Sequence, residues 1–179
     1  LVTGVQTCAL PIYPWRRVPS NLPQGTMLSP ADGVVSAIER LDAHEAVEGP
    51  AVIIRIFLSV LNVHINRAPC KCTLKEAIYT EGKFLDARTE ESAKVNESNL
   101  LILDTGFQTI GVRQVSGKLA KRIICPLLVG GSLHQGQQFG MITLGSTTEL
   151  ILPEQNGADV LVTKGQSVRG GLTQVAVLE

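Results

Sequence analysis

Apolar residues in this chain gather in short runs, rich in β-branched side chains and separated by glycine, proline and asparagine. The clearest runs cover residues 33–38, 51–57, 99–103, 109–115 and 122–125, followed by 139–144, 148–152 and 174–178. Runs of this kind, about ten residues apart and bounded by turn formers, predict strands rather than helices. A long series of them predicts an all-β sandwich or barrel. Residues 86–97 are polar and predict a loop or a short helix, and Ala120-Lys121-Arg122 either begins another short helix or enters a strand.

The chain also carries a weak internal echo. Residues 128–137 (Leu-Val-Gly-Gly-Ser-Leu-His-Gln-Gly-Gln) are matched by residues 161–170 (Leu-Val-Thr-Lys-Gly-Gln-Ser-Val-Arg-Gly), with paired glycines five apart in each. Glycines there suit tight strand reversals that need φ > 0. Such turns resemble those of biotinyl and lipoyl modules, and they equally suit ordinary hairpins. The expected fold is therefore mainly β, a β-rich α+β chain with a barrel-sandwich, lipoyl-like core and a few short helices.

Composition narrows the classes. The 179 residues fit one domain, long enough to bury roughly two thirds of its unfolded surface. With 44% apolar and 18% charged residues, the chain is a core-former rather than a disordered one. Sixteen acidic and sixteen basic residues balance, which excludes a nucleic-acid binder relying on bulk positive charge. A membrane surface met through a local patch stays open. No apolar run reaches the ~18 residues of a spanning helix. Cys70 and Cys72 would share one face of a strand, but no second pair or histidine follows at zinc-site spacing. They read, with Cys125, as reduced thiols of a cytosolic protein, and no metal site is expected.

Residues 1–12 look like translated sequencing-adapter read-through, without the basic and apolar regions of a signal peptide. They are expected to carry no function, Cys8 included, with the natural N-terminus missing. Residues 13–27, with Pro14, Pro19 and Pro23, read as an extended arm. In it Trp15, Arg16 and Arg17 form either a foothold at a membrane interface or an ordinary solvated segment. Residues 28–179 are expected to form a single β domain.

Near the C-terminus, Gly145-Ser146 lies in Leu144-Gly145-Ser146-Thr147, between two strand-like runs. A backbone that breaks itself at such a bond needs a serine hydroxyl to attack the preceding carbonyl and a base to take its proton. A histidine held by a carboxylate serves as that base, and backbone N–H groups can hold the oxyanion. Glycine before the serine removes the crowding Cβ and permits an unusual conformation. Of His44, His64 and His134, His64 ends a strong apolar run beside Asn66, Arg67 and Pro69, whereas His44 lies in an acidic turn and His134 in a glycine-framed one. Asp32, in Pro30-Ala31-Asp32-Gly33, is a candidate acid. Arg67 either supports a turn or grips a phosphate as a bidentate cation. Taken singly, each of these residues has an ordinary structural explanation.

Together they resemble the phosphatidylserine decarboxylase proenzyme family, in its shorter branch. The resemblance is carried by Arg17-Val18-Pro19, Leu28-Ser29-Pro30-Ala31-Asp32-Gly33 and the run from Phe57 to Pro69 containing Asn62-Val63-His64-Ile65-Asn66-Arg67. It continues through Tyr79-x-x-Gly82-Lys83-Phe84, Asn96-Glu97-Ser98-Asn99 and Gly136-Gln137-Gln138-Phe139-Gly140-Met141-Ile142 to Leu144-Gly145-Ser146-Thr147. The order is collinear over residues 16–179.

The resemblance implies self-cleavage between Gly145 and Ser146. The products would be a β chain ending at Gly145 and an α chain, 146–179, that begins with a pyruvoyl cofactor made from Ser146. It implies that Asp32 is the acidic partner in maturation, and that His64 acts in maturation, decarboxylation or both. Longer members carry a second histidine where this chain has Arg67. The serine-activating base is then either His64 alone or water shared with Asp32. The implied reaction is conversion of phosphatidylserine to phosphatidylethanolamine and CO2 through a Schiff base, with Arg67 and Asn66 on the substrate. The implied partners are phosphatidylserine in a membrane, met peripherally on the cytoplasmic face of a bacterial cell membrane, and a second copy in a homodimer of processed heterodimers. No nucleic acid is expected. Two other readings stand beside this one: a lipoyl-like carrier, which would need a modifiable lysine such as Lys164, and a maturation-defective relative that binds lipid without turning it over.

Overall fold

In the computed structural model, residues 18–85, 95–117, 122–143, 145–154 and 157–179 are described. Strands take 53% of the described residues and helix 1%, so the fold is mainly β. The expected short helices have little place among the described residues: Val95 is helical, while most of 86–97, Ala120 and Lys121 lie outside them. The order is β1 (Thr26–Leu28), β2 (Gly33–His44), β3 (Gly49–Leu58), β4 (Ile65–Arg67), β5 (Cys72–Thr80), β6 (Ser98–Asp104) and β7 (Thr109–Val115). It continues with β8 (Ile123–Ile124), β9 (Ser132–Leu133), β10 (Gln138–Ile142), β11 (Ser146–Pro153), β12 (Asp159–Val160), β13 (Ser167–Val168) and β14 (Gln174–Val177).

One eight-stranded sheet, ordered β13-β2-β3-β11-β7-β6-β5-β9, is joined by two three-stranded sheets, β4-β10-β8 and β1-β14-β12. Alternation along β11 shows how the large sheet is used. Leu150 and Leu152 belong to the main core with Ile54, Ile56, Val112 and Leu101, so the side chains of Ser146 and Thr148, in phase with them, face the same way. On the other face Ile151 joins Ile53, Leu100, Ala51 and Ala46 in a second, smaller cluster. A Cβ on Gly111 would come within 2.8 Å of the Ala46 Cβ. Glycine is therefore what lets the β2–β3 hairpin tip close over this outer face.

The register of β11 is pinned by charge. Glu149 sits opposite Arg55 on one side and Arg113 on the other. It accepts from Arg55 Nε at 2.8 Å and lies 3.4 Å from Arg113 Nη1, with Arg55 also bridging to Glu39 at 2.9 Å. Glu149 is only 1% exposed; a buried carboxylate of this kind needs such partners. A slip of one residue would move it into the apolar core.

The internal echo is real, but its register differs from the sequence match. His134 and Thr163 each open a turn in which a glutamine three residues on donates its backbone N–H to the opening carbonyl. The same glutamine, Gln137 or Gln166, accepts from the opening residue's N–H at 2.9 and 3.1 Å. Gly136 and Gly165 take φ of 73° and 90°. The equivalent segments begin at His134 and Thr163, because the glutamine hydrogen bonds define the turn more tightly than the glycine spacing does.

Candidate active site

The small sheet β4-β10-β8 covers one end of the large sheet, and two matched pairs of side chains join them. Ser146 and Thr148 are two residues apart on the inner face of β11, and His64 and Asn66 are two apart on the chain entering β4. Ser146 Oγ lies 3.3 Å from His64 Nδ1. Asn66 Nδ2 donates to Thr148 Oγ1 at 2.9 Å.

The second pair is the end of a buried amide chain. Gln114, opposite Thr148 in β7, donates to Asn66 Oδ1 at 2.9 Å. Asn99, opposite Gln114 in β6, donates to Gln114 Oε1 at 3.0 Å. Both ends of the Asn66 amide are engaged, so its observed contacts hold the small sheet in place. The Ile142 N–H donates to the His64 carbonyl at 3.1 Å, tying His64 to β10 as well.

The imidazole is oriented by backbone. His64 Nε2 lies 3.0 Å from the Ser59 carbonyl oxygen. A carbonyl can only accept, so Nε2 carries the proton and Nδ1 presents its lone pair to the serine. That carbonyl sits in a closed turn. Asn62 N–H donates to it at 3.0 Å, while Asn62 Oδ1 accepts from Ser59 N–H and Ser59 Oγ, both at 2.8 Å. Burial pushes the His64 pKa below its ordinary 6.5, the opposing pull of the Ser59 and Ile142 backbone contacts being smaller. The ring is thus neutral near pH 7 and able to accept a proton.

Ser146 is fully buried, and the residue before it is unusual. Gly145 has φ +71°, while a Cβ built on it meets nothing within 4 Å. Glycine is required here by conformation and not by space. Leu144 lies outside the described residues.

The other expected site residues are placed differently. Asp32 Oδ1 accepts the Gly170 N–H at 2.7 Å, bracing the β1–β2 turn against the turn before β14. Asp32 directly precedes β2, and β3 lies between β2 and β11, while the ring nitrogens of His64 lie against Ser146 Oγ and the Ser59 carbonyl. Arg67 is 3% exposed and donates to the Gly136 carbonyl at 2.9 Å. Of the motif Asn96-Glu97-Ser98-Asn99, Asn96 clamps Leu85 and Ser116 and Glu97 accepts from the Tyr79 hydroxyl at 2.7 Å. Lys164 is exposed beside Gly165. Trp15, Arg16 and Arg17 fall outside the described residues. Sequence reasoning missed the Ser59 carbonyl, although Ser59-x-x-Asn62 just before His64 is a recognisable turn signal.

Cys70 and Cys72 are buried free thiols hydrogen-bonded to each other, which pushes Cys70 up and Cys72 down; Cys70 precedes β5 rather than lying in it. Among the described residues no three of His, Cys, Asp and Glu gather as a metal site would require. A cavity of about 560 Å³, lined by Leu22, Met27, Cys70, Phe107, Gln135 and Leu178 among others, lies by the β6–β7 turn. That is the far end of the large sheet from Ser146.

A serine behind a positive-φ glycine, facing a neutral imidazole with its proton on the remote nitrogen, is equipped to attack its own backbone. Residues 12–176 match the family model described as phosphatidylserine decarboxylase. A phosphatidylserine decarboxylase proenzyme of Carboxydothermus hydrogenoformans is 40% identical over 162 residues, covering 90% of this chain and 75% of the relative. Proenzymes of the same name from a Wolbachia of Brugia malayi and from Rhodopirellula baltica are each 39% identical, covering 92% and 91% of this chain and 72% and 68% of the relatives. The chain belongs to the phosphatidylserine decarboxylase family, a family of decarboxylases of phospholipid biosynthesis.

Proposed function

We propose that this chain matures by cutting itself between Gly145 and Ser146 and then decarboxylates phosphatidylserine to phosphatidylethanolamine and CO2. The observation that carries the reading is the 3.3 Å approach of Ser146 Oγ to His64 Nδ1, with the Nε2 proton directed to Ser59. In the first step His64 Nδ1 takes the hydroxyl proton while Oγ bonds to the Gly145 carbonyl carbon. The C–N bond then breaks, the nitrogen gains the proton, and Gly145 is held as an ester on Oγ. Loss of the residue 146 Cα proton expels the Gly145 carboxylate and leaves dehydroalanine. Its imine tautomer takes up water and releases ammonia, leaving a pyruvoyl group as the new N-terminus. Gly145 is then the end of the β chain, and 146–179 is the α chain.

The residues present fit that group. It would be made from residue 146, which is fully buried, and held by β11 between β3 and β7 beside His64. Its ketone supplies an electron sink, through a Schiff base with the serine amine, for the pair released with CO2. His64, once protonated at Nδ1 from solvent, would give that proton to the headgroup Cα. Arg67, three residues on, carries the role of phosphate ligand in this reading. Asn66 positions His64 through Thr148, and Asp32 supports maturation by bracing the turns at this end of the sheet. The enzyme meets its lipid peripherally on the cytoplasmic face of the membrane and works as a homodimer of cut heterodimers.

Mass spectrometry of the expressed chain tests this. The expected product is a fragment 146–179 blocked by pyruvate, trapped by borohydride together with phosphatidylserine. Ser146→Ala stays uncut and inactive. His64→Ala cuts at least ~100-fold more slowly, the usual loss for a removed general base. A full-length, unmodified wild-type chain overturns the reading.

A further inference from the structure

The small sheet has two faces. Its inner face carries Asn66 and Ile142, both fully buried, and holds His64 over Ser146. Its outer face carries apolar side chains that are partly exposed. Ile65, Met141 and Ile124 are directly opposite one another across β4, β10 and β8, so their side chains form one row on that face. Met141 is 37% and Ile124 39% exposed. The chain reaches the β4 edge of this sheet from the 59–62 turn, whose tip is Val60 at 51% and Leu61 at 91% exposure. The turn is braced by the three Ser59–Asn62 hydrogen bonds, so Leu61 is held outward. At the other edge, Arg122 is exposed just before β8, its carbonyl accepting from Thr143 N–H at 3.2 Å.

From this we infer that the outer face of β4-β10-β8, with the Val60–Leu61 tip, is the surface that docks on an anionic phospholipid bilayer. The inference rests on the reading of this chain as an enzyme of phosphatidylserine, and it names the partner surface of that same site. Continuity and charge favour a bilayer. The turn that presents Leu61 also supplies the carbonyl that orients His64, and Leu58, the residue before it, lies directly opposite Ser146. Apolar side chains enter the acyl boundary while the Arg122 guanidinium meets lipid phosphates. Phe107 is equally apolar and 81% exposed, but it lies at the far end of the large sheet and has no such relation to the site.

Sedimentation of the full chain with vesicles of phosphatidylcholine and phosphatidylglycerol, which are not substrates, reads this out. The wild type binds. Leu61→Asp with Met141→Asp lowers the partition coefficient at least about tenfold, the scale of losing one buried apolar side chain. Arg122→Gln lowers the preference for anionic over purely zwitterionic vesicles about fivefold. Phe107→Asp changes neither.

Because a charged turn can misfold, a second variant adds apolar surface instead. Trp15 is the chain's single tryptophan, so Leu61→Trp in a Trp15→Phe background gives one reporter at the tip, and its emission shifts to the blue with vesicles. The inference is overturned if the wild type does not bind, if the double variant binds like the wild type, if the tip tryptophan shows no shift, or if removing residues 1–17 alone abolishes binding. Cleavage and turnover of a short-chain, monomeric phosphatidylserine are followed alongside. Normal cleavage and turnover with unchanged vesicle binding in the double variant sinks the docking face and leaves the proposed function standing. Loss of binding in the double variant, from a wild type that neither cuts nor decarboxylates, does the reverse.

Discussion

The Nε2 proton of His64 is directed to the Ser59 carbonyl, and this leaves Nδ1 as the acceptor facing Ser146. A carbonyl in this role fixes the tautomer as a carboxylate would, but it adds no negative charge to stabilise an imidazolium. The ring therefore keeps the pKa depression that burial imposes. The sign follows directly. Cleavage needs neutral His64, so its rate should be level from neutral pH upward and fall as pH drops through a midpoint below 6.5. Appearance of the short fragment from freshly made chain, followed across pH, checks this. A midpoint above 6.5 would mean that a carboxylate, not a carbonyl, governs the ring.

At the scale of elements, the site exists because one small sheet is docked in register on another. Each side chain of the Asn99–Gln114–Asn66–Thr148 chain is hydrogen-bonded to the next, and a half-satisfied version would be costly. Thr148→Val keeps the shape but leaves the Asn66 amide N–H without its acceptor, a loss of about 1–3 kcal/mol. Melting should fall by several degrees in a chain of this length, and cleavage should slow, because Asn66 is two residues from His64. Thr148→Ser keeps the hydroxyl and should restore cleavage toward the wild-type rate. A Thr148→Val chain that melts early yet cuts normally would show that the amide chain supports the fold without positioning the histidine.

Over the whole molecule, the proposed cut falls just before a central strand. Segment 146–179 contains β11 to β14, and β11 lies between β3 and β7, β13 pairs with β2, and β14 with β1. Its apolar residues Leu150, Leu152, Val162, Val168, Val175 and Leu178 share the main core with those of the longer segment. Cleavage removes one covalent bond and none of these contacts. The two fragments should co-elute on size exclusion under native conditions and separate only in denaturant. Separation in plain buffer would contradict this account of the core.

Much of this was legible in the amino-acid order. The β-branched runs at 51–57, 99–103, 109–115 and 148–152 became β3, β6, β7 and β11, because alternation and turn residues are local signals. The collinear motifs also singled out His64, Gly145 and Ser146. Short strands such as β1, β4, β9, β12 and β13 carry too few residues for a period to show, and they exist only because distant partners pair with them. β5 was hidden because Lys75 and Glu76 face solvent along it. That the Asn66 amide meets Thr148 and Gln114 was not legible, because a motif shows which residues occur together and not which way they point. What the sequence by itself determined was the alternation of faces, the places where the chain must turn, and the residue types available for chemistry. What only the tertiary structure decided was which nitrogen of His64 meets Ser146 and what holds it there, since that depends on a backbone carbonyl and a sheet docking, and neither is written in any side chain.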